Sequence, residues 1–267
     1  MKRDSVANTF IVATTLCVIC SVLVSGAAVS LRSIQEKQKK REERKNVLIA
    51  AGLYQDDVPI DQLFAQIESQ IVNLATGEFV ADSEIDATTF DPRAAAKDRL
   101  TSVAVSPGED PANIKRRETH AFVYLVKNND DRLAQIVLPI RGMGLWSTLY
   151  GFLALDADTR TIRGLTFFEH GETPGLGGEV DNPKWKAQWH GKIAFDPEWN
   201  IRIKVIKGTV DRDRPDSIYQ VDGLSGATIT SRGVTNMLRY WLGDHAFGPF
   251  LEQIRVQGQE DGQDKSP

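Results

Sequence analysis

Between Thr9 and Leu31 the chain carries 23 consecutive uncharged residues, of which 16 are apolar and the remainder Thr, Ser or Gly. Coiled as an α-helix they rise ~34 Å, enough to cross a hydrocarbon layer of about 30 Å with some tilt. A cleaved signal peptide is the rival reading, and Ser25–Gly26–Ala27–Ala28 imitates its small-residue cleavage site. The apolar run continues beyond that site, which favours an uncleaved anchor. The residues before Cys17 and Cys20 (Thr15–Leu16 and Val18–Ile19) lack the small side chains of a lipoprotein cleavage site. The two thiols share one helical face inside lipid and read as small apolar packing residues.

Charge divides at the same place. Residues 1–45 hold nine Lys or Arg and four Asp or Glu, net +5, which leaves 23 basic and 32 acidic residues, net −9, for the remainder. So acidic a body argues against nucleic acid as a partner, since affinity for phosphate backbones rests on clustered Lys and Arg. With both cysteines inside the apolar run, the body has no disulfide and no thiolate metal site. Two basic residues precede the span and seven follow it closely, interleaved with three glutamates. Counted by the positive-inside rule, this places the body in the cytoplasm.

The pattern divides the chain into a tail (1–8), a transmembrane helix (9–31), a charged helical neck (32–53) ended by Gly52, a body (54–256) and a disordered polar tail (257–267). A helix is expected over Ile60–Leu74, with Leu63, Phe64, Ile67, Ile71 and Leu74 inside. Residues 82–117, polar and broken by Pro92, Pro107 and Pro111, read as a surface excursion with little regular structure. Strands then dominate. His120–Lys127 and Leu133–Arg141 flank Asn128–Asp131, and Tyr150–Leu155 and Ile162–Glu169 flank Asp156–Thr159, each a hairpin signal. Further strands are expected at Asn200–Ile206 and Ser217–Val221, a short helix with Trp185 and Trp189 at Pro183–Gly191, and an amphipathic helix at Thr230–Leu242 with Val234, Met237, Leu238 and Trp241 on one stripe. The fold class expected is α+β: a mostly antiparallel sheet with flanking helices, preceded by one N-terminal transmembrane helix.

His120, His170, His190 and His245 are scattered without metal-ligand spacing and read as surface or structural residues. No Gly-x-Ser-x-Gly elbow and no phosphate-binding loop with its Lys occurs. Three segments remain. Gly142–Gly151 has glycine at both ends and aromatics between, as where backbone passes close to something flat or bulky. Glu172–Gly178 follows a strand and contains Pro174–Gly175 and a Gly pair, a rigid turn exposing backbone N–H groups. Asp222–Ser231 precedes the amphipathic helix; its small residues and clustered hydroxyls suit a phosphate at a helix N-terminus. Ordinary N-capping by Thr230 or Ser231 explains either hydroxyl alone, but not the clustering of Ser225, Thr228 and Thr230 with two glycines.

Asp222–Gly223–Leu224–Ser225–Gly226–Ala227–Thr228 resembles the flavinylation motif of FMN-binding domains, in which a threonine hydroxyl is esterified to the phosphate of FMN. Together with Gly144–Leu145–Trp146–Ser147–Thr148–Leu149–Tyr150–Gly151 and Glu172–Thr173–Pro174–Gly175–Leu176–Gly177, it is similar to the C-subunit family of the sodium-translocating NADH:quinone reductase. The G subunit of the Rnf electron-transport complex is a near relative that shares the threonine motif. The resemblance implies a membrane-anchored electron carrier with covalent FMN in a sodium-exporting NADH:ubiquinone oxidoreductase of the bacterial inner membrane. It implies no complete active site on this chain, no bound metal, and other redox subunits as partners. A non-redox membrane-anchored binding module is the contrasting reading.

By motif position the resemblance makes Thr228 the bearer of FMN, with Gly226, Ala227 and Thr230 lining the attachment site. Asp222 and Ser225 become recognition residues for a separate flavin transferase, because a threonine hydroxyl without a base is not nucleophilic. The isoalloxazine ring is then expected toward Glu172, Thr173, Leu176 and Gly177 and toward Trp146 and Ser147, with Lys207 within reach of ring or phosphate. The resemblance also implies a body on the periplasmic side, opposite to the charge count.

Overall fold

The computed structural model describes residues 6–81 and 83–263. The chain divides into two compact units, one ending at Glu43 and one starting at Arg44.

The first unit is a single helical rod, part of α1 (Val6–Ala50), which runs without a break from the apolar span into the charged neck. The side chains of Phe10, Leu16, Val22, Leu23 and Val29 are more than half exposed. Among the described residues this is the one helix long and apolar enough to cross a membrane.

The second unit begins inside the same helix, ten residues before the expected boundary at 54. The last turns of α1 bury Val47, Leu48, Ala50 and Ala51, and the helix then ends in a Schellman motif. There the Leu53 N–H donates to the Leu48 carbonyl (2.8 Å) and the Gly52 N–H to that of Ile49 (3.1 Å), with Gly52 at φ +70°.

The expected helix over 60–74 is corrected. Only α2 (Ile60–Phe64) is helical; residues beyond it form β1 (Ile67–Asn73), paired antiparallel with β4 from Ile67↔Val126 to Asn73↔His120. Ile67 and Ile71 are four apart, a spacing that suits one helix face and one strand face equally, and β-branched Ile67, Ile71 and Val72 tip the balance once a partner strand is available. The 82–117 stretch is also more regular than expected. It contains α3 (Pro92–Lys97), capped by the Asp91 carboxylate, and a small ladder of β2 (Ser102–Ala104) with β3 (Arg116–Glu118).

β4 (His120–Lys127), β5 (Leu133–Met143), β6 (Thr148–Asp156) and β7 (Ile162–Glu169) complete an antiparallel sheet of order β1-β4-β5-β6-β7. Asn128 closes the first hairpin, its Oδ1 accepting from the N–H groups of Asp130 and Arg132. The sheet is buried on both faces, which is why its strands are nearly continuous apolar runs. Val123, Leu125, Ile136, Leu138, Leu149 and Leu153 face the larger core with the C-terminal helices. Tyr124, Val126, Val137, Phe152 and Ala154 face the end of α1 and α2.

α4 (Pro183–Ala187) carries Trp185, which packs edge-on against the buried Trp189. The strands expected at 200–206 and 217–221 shrink to β8 (Lys204–Val205) and β9 (Gln220–Val221), a two-residue parallel pair, and residues 215–219 are a 3₁₀ turn. α5 (Thr228–Trp241) lies on β5 and buries Val234, Met237, Leu238 and Trp241, the expected stripe. α6 (Gly248–Gln263) continues through the described part of the expected C-terminal tail; residues 264–267 lie outside the described residues. The architecture is α+β with a mostly antiparallel sheet and flanking helices.

Candidate functional site

The three segments singled out in the sequence meet at one carboxylate. Glu172, just past β7 and 5% exposed, accepts hydrogen bonds from the backbone N–H groups of Leu145 (3.1 Å), Trp146 (2.9 Å) and Ser147 (3.3 Å) in the β5–β6 turn, and from the Thr230 hydroxyl (2.5 Å) on α5. Burial pushes the Glu172 pKa up, while the Thr230 hydroxyl and the three N–H groups push it down; the net is below the ordinary value, so the group is an anion. The Ser147 hydroxyl in return accepts from the Gly171 N–H at 2.6 Å. His170 accepts the Glu172 N–H on Nδ1 (3.2 Å), so its Nε2 carries the proton toward Asp181 at 2.8 Å.

Glu172 therefore occupies the nest of N–H groups that the sequence offered to the flavin ring. What Trp146 and Ser147 leave open is side chain. Trp146 is 68% exposed, and Leu145 and Leu176 are each about 40% exposed. Pro174–Gly175 makes the expected turn, with Gly175 at φ +76° and the Thr173 carbonyl accepting from Leu176 and Gly178. Leu176 leans on Gly226, where a Cβ would stand 2.9 Å from Leu176 Cδ2.

The loop before α5 is held from beneath. The Asp222 carboxylate accepts the Val210 N–H (2.7 Å), its carbonyl accepts Trp185 Nε1–H (2.8 Å), and the Gly223 N–H donates to the Gly208 carbonyl (2.8 Å). The capping role open to Thr230 or Ser231 is not taken by either. Thr230 bonds Glu172, Ser231 Oγ accepts the Leu224 N–H (3.0 Å), and the N-cap residue is Ala227, which has no capping side chain. Thr228, the first helical residue, is exposed, and its hydroxyl bonds no described residue. The N–H groups of Thr228, Ile229 and Thr230 likewise have no described partner. Such an uncapped end of a 14-residue helix is a ready acceptor of an anion.

Beside Thr228 opens a cleft of about 340 Å³ whose lining includes Lys204, Lys207, Arg232 and Arg239 and no carboxylate. None of these four cations has a described salt bridge. A phosphate group fits this end of the molecule on three counts: open N–H groups, an exposed hydroxyl and unpaired cations.

Of the expected site residues, Trp146, Ser147, Gly177 and Thr230 are drawn together around Glu172, and Leu176 meets Gly226. Thr228 and Lys207 both line the cleft; Ala227 holds the N-cap position without a capping group; Asp222 supports the loop; Ser225 and Thr173 are exposed. Arg232 and Arg239 were not anticipated. Their spacing from Thr228, four and eleven residues along one helix, was a usable signal, whereas Lys204 comes from a separate strand. Among the described residues no cluster of His, Cys, Asp or Glu is arranged to hold a metal.

Residues 144–243 match the FMN-binding domain, a segment that takes in all three motifs and the cleft. Over 265 residues the chain is 43% identical to the C subunit of the Na(+)-translocating NADH-quinone reductase of Yersinia pestis, covering 98% of this chain and 97% of that one. The C subunit of the Pseudomonas aeruginosa reductase is 46% identical over 258 residues, covering 95% and 98%. Among solved structures, Shewanella oneidensis NqrC superposes with a TM-score of 0.74 at 37% identity, covering 82% of this chain and 99% of that one. With such identity over nearly the full length of its relatives, the chain belongs to the C-subunit family of the Na(+)-translocating NADH-quinone reductase.

Proposed function

We propose that this chain is a membrane-anchored electron carrier in which FMN is joined through its phosphate to the Thr228 hydroxyl, serving a sodium-exporting NADH:ubiquinone oxidoreductase. The observation that carries the reading is the state of Thr228: an exposed, unbonded hydroxyl at an uncapped helix N-terminus, at the mouth of a cation-lined cleft. When bound, FMN supplies one- and two-electron redox chemistry; this chain's residues hold it and set its surroundings.

The three open N–H groups of α5, with Lys207 and Arg232, neutralise the phosphate. Leu176 and Trp146 offer apolar surface for the ring, and Glu172 fixes the turn that carries Trp146. No base is hydrogen-bonded to Thr228 Oγ1, so activation of that hydroxyl falls to a separate flavin transferase, for which Asp222 and Ser225 are the recognition residues. Asp222 acts there indirectly, since its carboxylate holds the 208–210 loop beneath the motif. The apolar part of α1 anchors the chain in the inner membrane, and the family assignment favours a body on the periplasmic side.

Intact mass tests the attachment. Full-length chain co-expressed with a flavin transferase gains the mass of one FMN less one water, and Thr228→Ala does not. An unmodified wild-type chain after that co-expression sinks the reading.

A further inference from the structure

The cleft beside Thr228 holds more positive charge than a flavin phosphate can use. Its four cations, Lys204, Lys207, Arg232 and Arg239, are exposed, lack any described carboxylate partner, and share the cleft with no acidic lining residue. A phosphodiester at Thr228 carries one negative charge, so about three positive charges stay uncompensated. Reach makes the same point. Arg232 is one turn along α5 from Thr228, about 6 Å, whereas Arg239 is eleven residues away, roughly 16 Å along the axis. One phosphate cannot touch both ends. Four like charges gathered in a body that is otherwise strongly acidic repel one another, and that arrangement is sustained at least cost when a counter-charge arrives from outside.

We propose that the far half of this cleft, with Lys204, Asn236 and Arg239 in its lining, is the docking site for an acidic segment of another protein of the complex. The inference rests on the Thr228 reading only for the share of charge left over. The choice of a protein partner comes from two observations. The relatives are named as one subunit of a reductase, and the four cleft cations meet no carboxylate in the cleft lining, a positive patch complementary to an acidic protein surface. Docked there, a partner redox centre would lie beside the Thr228 end of the cleft, and the cations would steer and register it.

The test uses the intact membrane complex. A photo-crosslinking residue at position 236, in the lining of the same cleft, is expected to capture an acidic peptide of another protein of the complex, identified by mass spectrometry. The charge-reversal pair Lys204→Glu and Arg239→Glu, both solvent-facing, is expected to abolish that capture and slow electron delivery to the flavin of this chain on the order of tenfold, while leaving the FMN mass gain unchanged and without lowering the unfolding temperature. Capture of lipid alone, no capture, or an unchanged rate in the charge-reversed complex overturns the proposal. Loss of the FMN mass gain in the charge-reversed pair also overturns it, since the cleft would then serve flavin attachment. Failure of the wild-type chain to gain FMN overturns the Thr228 reading instead, and is seen separately in the mass of the uncrosslinked chain.

Discussion

Replacing Glu172 with Gln preserves size and shape but removes the charge on which three segments converge. The carboxylate accepts from Leu145, Trp146 and Ser147 N–H and from the Thr230 hydroxyl at 2.5–3.3 Å, and it is 5% exposed. A hydrogen bond to a buried charge is worth about 1.5–3 kcal/mol against about 0.5–1.5 for a neutral one. Gln keeps one carbonyl, which can serve Trp146, and turns an NH₂ toward Leu145 or Thr230. Losing roughly 1 kcal/mol on each of two or three bonds amounts to about 2–3 kcal/mol, which in a body of this size lowers Tm by roughly 5–10 °C. The effect depends on pH. Because the folded pKa lies below the ordinary 4.5, the stabilisation is present in full above the unfolded value and is lost as pH falls through the folded one. Thermal unfolding of wild type and Glu172→Gln, followed by tryptophan emission from pH 7 to pH 3.5, should show a gap that is constant near neutrality and closes below about pH 4.5. A gap under 2 °C at pH 7, or one that does not close on acidification, would refute the assignment of Glu172 as the charged hub.

Three further outcomes are expected. Glu118→Gln leaves Arg141, whose side chain is 13% exposed and whose guanidinium bonds both Glu118 oxygens, as a largely buried charge without its counter-ion; a loss of about 3–5 kcal/mol by denaturant unfolding is expected. Gly226→Ala forces a side chain into φ +69° and against Leu176 Cδ2, costing about 1–2 kcal/mol and displacing Leu176; an unchanged unfolding midpoint would contradict this. A reporter fused after Pro267, active only outside the cytoplasm, is expected to be active; activity of a cytoplasmic reporter instead would count against the proposed orientation.

Legibility in the sequence followed the range of the interactions. The β4–β5 and β6–β7 hairpins were readable because their turn residues, Asn128–Asp131 and Asp156–Thr159, sit between apolar runs that are themselves the strands. β1 was not, because what makes Ile67–Asn73 a strand is its pairing with residues 120–126, some fifty positions away. The same limit applies at the site. The hydroxyls before α5 were visible as a cluster, and so was the turn at Glu172, but their bond spans 58 residues. Local reasoning therefore left Thr230 between N-capping and the flavin attachment site and turned the Trp146–Ser147 segment toward the ring, without the bonds that both make to Glu172. It likewise took Lys207 singly, because Lys204 and Lys207 join Arg232 and Arg239 only when the β8 region packs along α5.

The convergence on Glu172 also changes what the glycines of the motifs are for. A Cβ at Gly144 would lie 2.6 Å from Glu172 Oε1, and one at Gly177 would lie 2.5 Å from Oε2 and 2.7 Å from Thr230 Oγ1. Neither neighbour can retreat without giving up a charged hydrogen bond, so both positions exclude a side chain on account of the protein's own anion. A Cβ at Gly233, one turn into α5, would likewise lie 2.4 Å from the Met143 carbonyl oxygen. Glycines that read as room for a cofactor thus hold the β5–β6 turn, the post-β7 turn and α5 in mutual contact. The surface left for a flavin is outside that knot: the Trp146 and Leu176 side chains on one flank and the N-terminus of α5 on the other. A substitution at Gly144 or Gly177 should accordingly lower Tm in the chain carrying Thr228→Ala as much as in wild type, since the strain it causes needs no cofactor.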